Sequence, residues 1–161
     1  IVDENMKPIG IVTKWEIAGL LVDDNEAIEN IMTRAPITIR SSDKLLHARK
    51  ILMEKSISTL PVVDDNNRIM GIVTIDEIAD ALYAFHDIVP EKHRKERINY
   101  ILVEDIMRLR PIIAKTYEKI GEVAKALIQR KMRGAVITDN GDTVVGIVTL
   151  TDLTRYFTGI T

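Results

Sequence analysis

Cysteine is absent, which excludes disulfides and thiolate metal sites and agrees with a reducing, cytoplasmic setting. No charge of one sign prevails. The 22 Lys and Arg against 24 Asp and Glu give a formal charge of −2, so no global field draws nucleic acid or an acidic membrane surface. No apolar run approaches the roughly eighteen residues of a transmembrane helix, and no signal-peptide pattern is visible. Nothing reads as a nucleophile–base pair, a phosphate-binding P-loop or a metal-ligand cluster, so no catalytic and no metal-binding residues are expected. What is present is globular: 46% hydrophobic and 29% charged residues over 161 positions, enough for one ordinary domain or two small ones.

One tetrapeptide occurs three times, as Gly10-Ile11-Val12-Thr13, Gly71-Ile72-Val73-Thr74 and Gly146-Ile147-Val148-Thr149. Each threonine is followed three places on by an acid: Glu16, Glu77 and Asp152. An apolar run that stops at Thr and restarts with helical periodicity predicts a strand feeding directly into a helix, with Thr as N-cap and the acid at the third helical position.

The chain from 1 to 22 reads as strand, turn, strand and a helix from Lys14 to about Leu21. Asp24 or Asn25 is placed to cap a short helix through Met32, and Pro36 to Ile39 is a short β-type run. Ser41-Ser42-Asp43 starts a helix whose one face carries Leu45, Ala48, Ile51 and Leu52. Leu60–Val63, the turn 64–67 and Ile69–Val73 make two strands, and the helix after Thr74 runs to about Phe85. Residues 103–161 then repeat 28–86 without a gap at an offset of 75, as Met32 to Met107, Asp64 to Asp139 and Gly71 to Gly146 show. The mixed-sign run Glu91–Arg97 between the copies predicts a solvated linker, helical from Glu91. Residues 1–22 align with the second half of the repeat only, Asp3 with Asp64, Gly10 with Gly71 and Thr13 with Thr74. The expected organisation is therefore half of a preceding unit (1–22), a full unit (23–86), a linker (87–102) and a second full unit (103–161). The half unit leaves apolar faces to cover, against a neighbouring unit or another subunit.

The combination Ile31-Met32…Pro36-Ile37-Thr38, Ser58-Thr59-Leu60-Pro61-Val62-Val63-Asp64 and Gly71–Thr74 resembles the cystathionine-β-synthase (CBS) domain. The second copy supplies Ile106-Met107…Pro111, Gly134–Asp139 and Gly146–Thr149. The resemblance implies an α+β fold of tandem CBS domains (a Bateman module), β-α-β-β-α units whose two sheets pack face to face with pseudo-twofold symmetry. It also implies a regulatory role, binding adenosine-containing ligands such as AMP, ADP, ATP or S-adenosylmethionine between the units; some relatives bind Mg²⁺ instead. A larger parent with further CBS units is implied by the odd half unit.

In the resembled family a Thr-x-x-Asp motif holds ribose and phosphate, and Thr149–Asp152 matches it fully. Thr74–Glu77 and Thr13–Glu16 carry Glu, which suits a capping box better than ribose binding. Even for Thr149 and Asp152, capping alone, worth roughly 0.5–2 kcal/mol, accounts for the pattern without a ligand. The resemblance further places Thr38 and its counterpart Ile113 against adenine, and Ile57-Ser58 and Met132-Arg133 where the base packs. Met132 also reads as a core residue. Arg133 reads either as a phosphate ligand or as half of a solvated basic pair with Lys131. Trp15, beside Thr13, reads as filling an interface or stacking on a base.

The function expected is a ligand-binding regulatory module, forming homo-oligomers through its CBS units and requiring no cofactor beyond a regulatory adenosyl ligand. Two other readings stay open: a ligand-free dimerisation scaffold, and a divalent-cation sensor using the acidic turns Asp23-Asp24 and Asp64-Asp65. Residues 28–161 are expected to form the pair, although the shorter spacing Gly10 to Gly71 also allows the half unit to pair with 28–86.

Overall fold

A computed structural model describes residues 1–160. Helix α1 (Lys14–Gly19) follows the opening hairpin; β1 (Thr33–Arg34), β2 (Ile39–Arg40), α2 (Leu45–Glu54), β3 (Thr59–Val63), β4 (Ile69–Thr74) and α3 (Ile75–Ile88) come next. The linker forms α4 (Glu91–Arg97), and the second copy supplies β5 (Ile112–Lys115), α5 (Ile120–Arg130), β6 (Gly134–Thr138), β7 (Val144–Thr149) and α6 (Leu150–Thr158). One sheet has the order β2-β3-β4 and the other β1-β7-β6-β5. In each, the first repeat strand runs parallel to the second and the third returns antiparallel, with a bulge at Val62/Val63 and at the equivalent Ile137/Thr138.

The element that begins each unit is completed by the other unit. Strand β1 pairs with β7 of the second sheet, Thr33 opposite Ile147, while Arg108 bridges Ile72 in the first sheet. The flanking bridges Ala27–Lys119 and Lys44–Leu102 are likewise reciprocal, and Arg68–Thr143 joins two equivalent positions on the pseudo-twofold axis. The apolar anchors follow: Ile28 and Met32 lie in the core of the second unit, whereas Val103 and Met107 pack in the core of the first.

The glycine of the repeated tetrapeptide makes this exchange possible. A Cβ on Gly146 would stand 2.6 Å from Met32 Sδ, and one on Gly71 would stand 2.7 Å from the Arg108 carbonyl oxygen. Gly10 has nothing within 4 Å, and around it the hairpin leaves Ile9, Ile11 and Val12 exposed. The other side of the first 22 residues is covered. Ala18 and Leu21 are buried in the core of the second unit, Trp15 packs against that core, and the Asp24 carbonyl accepts the Gly121 N–H at 3.0 Å.

Three hairpins share one turn. Asp3, Asp64 and Asp139 each accept two backbone N–H groups through Oδ1 at 2.8–2.9 Å, two and four residues ahead. The residue three places after each aspartate, Met6, Asn67 and Asp142, has a positive φ. Some local expectations differ. The short helix before Met32 is a single 3-10 turn, Ile28–Asn30, with no side-chain cap bond; Asp24 instead accepts the Glu26 N–H at 2.8 Å. The β-run expected at 36–39 is displaced to Ile39–Arg40, because Ala35 turns the chain through a positive φ as it leaves one sheet for the other. Helix α2 starts at Leu45 with no side-chain cap; its first N–H donates to the Ile101 carbonyl of the crossing segment at 3.0 Å.

Two outcomes test this construction. Gly71→Ala drives a Cβ into backbone and should destabilise by about 1–3 kcal/mol. Gly146→Ala meets a flexible methionine and should cost less, and Gly10→Ala should stay within about 0.5 kcal/mol; thermal denaturation ranks the three. For acid stability, the Arg68 N–H, helped by that of Asn66, holds the Asp64 carboxyl below its ordinary 3.8, and the Thr143 and Gly141 N–H groups do the same for Asp139. A carboxyl whose folded pKa is depressed stabilises fully above its unfolded value, and that contribution disappears as pH falls through the folded one. The melting temperature should therefore drop between about pH 5 and pH 2, and the drop should be shallower in D64A/D139A.

Candidate functional site

All three tetrapeptides end in a helix start of the expected kind. Thr13, Thr74 and Thr149 have extended backbone, and each directs its N–H and its hydroxyl onto one oxygen of the acid three residues ahead. In the first two copies the threonine hydroxyl also accepts a helix N–H, from Trp15 and from Asp76, both at 3.2 Å. Thr149 makes no such bond to the second N–H of α6 among the described residues, and the first, that of Leu150, donates to the Arg133 carbonyl at 3.0 Å. Hydrogen bonding from Thr13 depresses the Glu16 carboxyl below its ordinary 4.5.

The difference between copies lies in the second carboxylate oxygen. Asp152 Oδ2 takes the Thr149 N–H and hydroxyl at 2.7 and 2.6 Å, while Oδ1 receives only a long contact, 3.4 Å, from the Thr33 hydroxyl. Glu77 Oε2 does the same capping work, but its Oε1 is held by Arg108 Nη2 at 2.8 Å, leaving the side chain 13% exposed.

Asp152 lines a cavity of about 750 Å³ between the two units. One wall comes from the first unit, through the chain crossing at Thr33, Pro36 and Ile37 and the approach to β3 at Ile57 and Ser58. The other wall is the start of α6, Thr149 to Asp152, with Arg133 and Arg155. Lys14, at the first position of α1, reaches the same space and donates to the Thr151 hydroxyl at 2.7 Å. Thr59, also on the wall, is buried, and its hydroxyl has no hydrogen-bond partner. An unsatisfied buried hydroxyl costs about 1–3 kcal/mol, which a ligand donor or acceptor would relieve.

Of the residues singled out from sequence, Thr149, Asp152, Arg133, Ile57 and Ser58 come together here. The others do not line this cavity. Met132 is a core residue of the second unit, 3% exposed and packed beneath α5 and β6. That placement agrees with the reading of Met132 as a core residue. Thr38 is half-buried one residue beyond the lining segment, Ile113 is exposed on the far side, and Thr74 and Glu77 belong to the pseudo-symmetric cleft. Arg133 reaches the cavity edge with its Nε bonded to Asp76 Oδ2 at 2.8 Å. Sequence reasoning missed Thr33, Thr59, Lys14, Lys55 and Arg155. Only Thr33 carried a signal: it immediately follows the repeated Met and changes to Arg108 in the second copy. Of the acidic turns weighed as cation ligands, Asp24 accepts from the Glu26 N–H and the Tyr156 hydroxyl, Asp64 caps its own turn, and Asp65 pairs with Arg40. Among the described residues no helix is long and apolar enough to cross a membrane.

Comparison with known proteins agrees with this architecture. The chain is 32% identical over 132 residues to the L-aspartate semialdehyde sulfurtransferase of Methanocaldococcus jannaschii, covering 82% of this chain but 23% of that enzyme. It is 25% identical over 163 residues to the protein MJ1225 of the same organism, covering 98% of this chain and 57% of that protein. A homoserine O-acetyltransferase of Methanocorpusculum labreanum is 39% identical over 79 residues, 49% of this chain and 16% of the enzyme. The chain thus spans less than two thirds of each relative's own length. Among solved structures, the CBS domain pair of MJ0100 in complex with 5-methylthioadenosine and S-adenosyl-L-methionine matches with TM-score 0.70 and 30% identity, covering 84% of this chain and 98% of that one. MJ1225 matches in fold with TM-score 0.80 at 24% identity, over 97% of this chain and 57% of that one. CBSX2 in complex with AMP matches in fold with TM-score 0.69 at 22% identity, over 83% and 97%. The CBS domain profile matches residues 28–84 and 103–159, the two units that exchange their leading segments, and the chain therefore belongs to the CBS domain family, with two CBS domains in tandem.

Proposed function

We propose that this chain is a regulatory module that binds an adenosine-containing ligand in the cavity at Thr149 and Asp152 and passes its bound state to a partner or a further domain. The observation that carries the reading is the divided carboxylate of Asp152: Oδ2 caps α6 while Oδ1 is free to accept ribose hydroxyls. At the start of α6 the Leu150 N–H is taken by the Arg133 carbonyl, and the Thr151 N–H, which has no side-chain cap, is offered to a phosphate. Ile37, Ile57 and the orphaned hydroxyl of Thr59 lie across the cavity, a half-apolar wall with a polar group suited to a purine. The MJ0100 pair, solved with 5-methylthioadenosine and S-adenosyl-L-methionine, supports the adenosyl part.

The charge of the lining refines the ligand. Lys14, Lys55 and Arg155 line the cavity with the single lining acid Asp152, while Arg133 at its edge is paired with Asp76, a balance that favours a phosphorylated adenosine over one bearing a sulfonium. A ligand that touches both units stabilises one relative orientation of them, and that bias is the regulatory output. Because Lys14 belongs to α1, the segment before the pair senses the ligand directly.

Thermal denaturation with AMP, ADP, ATP or S-adenosylmethionine tests this. Ligand at a hundredfold over Kd should stabilise by roughly 2.7 kcal/mol, with the phosphorylated ligands acting at lower concentration. Asp152→Ala should abolish the shift, and Glu77→Ala should leave most of it. An unchanged melting temperature with all four at millimolar levels would overturn the reading, and a concentration-dependent oligomer in that case would favour the scaffold role.

A further inference from the structure

The two clefts of the pair are built from equivalent positions, and four of these differ in kind. The open cavity presents Thr33, Ser58, Thr151 and Asp152. At the offset of 75 their counterparts are Arg108, Arg133, Asp76 and Glu77. Short polar groups in one cleft have become two cross-unit ion pairs in the other, Arg108 Nη2 to Glu77 Oε1 and Arg133 Nε to Asp76 Oδ2, each at 2.8 Å. Both acids sit in the first turn of α3, and both arginines come from the second unit. The carboxylate that would meet a ribose there has no free oxygen: one caps α3 and the other holds Arg108.

We infer that the second cleft is closed by its own side chains, so that the pair binds a single ligand, in the Thr149–Asp152 cleft. Arg108 occupies the ligand's place at Glu77. A molecule entering there would have to break two charge-assisted bonds and leave a half-buried carboxylate without its cation, which is costly. The extra methylene of Glu77 serves this closure, since it lets one carboxylate cap its helix and still reach the guanidinium. The two pairs also fasten α3 to the second unit on that face, leaving the open face as the one a ligand can alter. The inference rests on the proposed function for the ligand's identity alone.

Isothermal titration with AMP, and native mass spectrometry of the same samples, counts the sites. The unaltered chain should bind one AMP. The variant R108T/E77D, which gives the closed cleft the threonine and aspartate of the open one and leaves Arg133 at the open cavity in place, should bind one more. The reverse exchange, T33R/D152E, should bind none. Two AMP on the unaltered chain, or no added site in a folded opened variant, overturns the closure. No AMP on the unaltered chain with one on the opened variant overturns the ligand reading while upholding the closure.

Discussion

The fold depends on an exchange: each CBS unit is finished by a segment that belongs to the other. Ile28 and Met32 of the first unit are core residues of the second, and Val103 and Met107 return the favour. Apolar anchors of this size contribute about 1.5–3 kcal/mol each when buried, so neither unit keeps its full core alone. The glycine of the repeated tetrapeptide follows from this. At Gly71 and Gly146 it is required because a neighbour's backbone or methionine lies where a Cβ would be, and no positive φ is involved. Pseudo-twofold symmetry comes from the same reciprocity, as it does at an isologous interface.

Symmetry of the scaffold does not extend to the chemistry. The capping bonds are common to Glu16, Glu77 and Asp152 and give three helices a defined start. Capping and ligand binding are often weighed as rivals for such a motif, yet a carboxylate has two oxygens and can serve both. What separates the copies is the residue facing the second oxygen, threonine in one cleft and arginine in the other. A repeat thus preserves geometry while one facing residue decides whether a cleft stays available.

Much of this was legible in the chain itself. The gapless offset of 75 carried the two units, their order of elements and the strand-to-helix junctions, because core, cap and turn positions repeat together. The Asp152-for-Glu77 difference pointed to the cleft that forms the open cavity. The sequence hid what depends on contacts between units. That the leading segments cross over was invisible, since Met32 and Met107 read equally well as core residues of their own units. Arg133 looked free to meet phosphate because nothing local announces Asp76, 57 positions away. Lys14 escaped notice because its role arises only when α1 docks on α5 and α6, a packing driven by Ala18 and Leu21 rather than by any motif. Met132 was ambiguous between core and cleft, and it is buried in the core of the second unit.

The crossing segments also set a schedule for biosynthesis. As the chain leaves the ribosome from its N-terminus, the first unit has all its own strands and helices by Ile88, yet the groove over Gly71 stays empty until Met107 and Arg108 have been made. At roughly 5–20 residues per second that interval lasts on the order of a second or more. During it the edge of β4 is unpaired, and any stretch of similar shape can occupy it. The linker helix α4, made of charged residues and one histidine, has no apolar face with which to compete for that groove. The groove is thus left to the Met107–Arg108 segment, which completes the first unit.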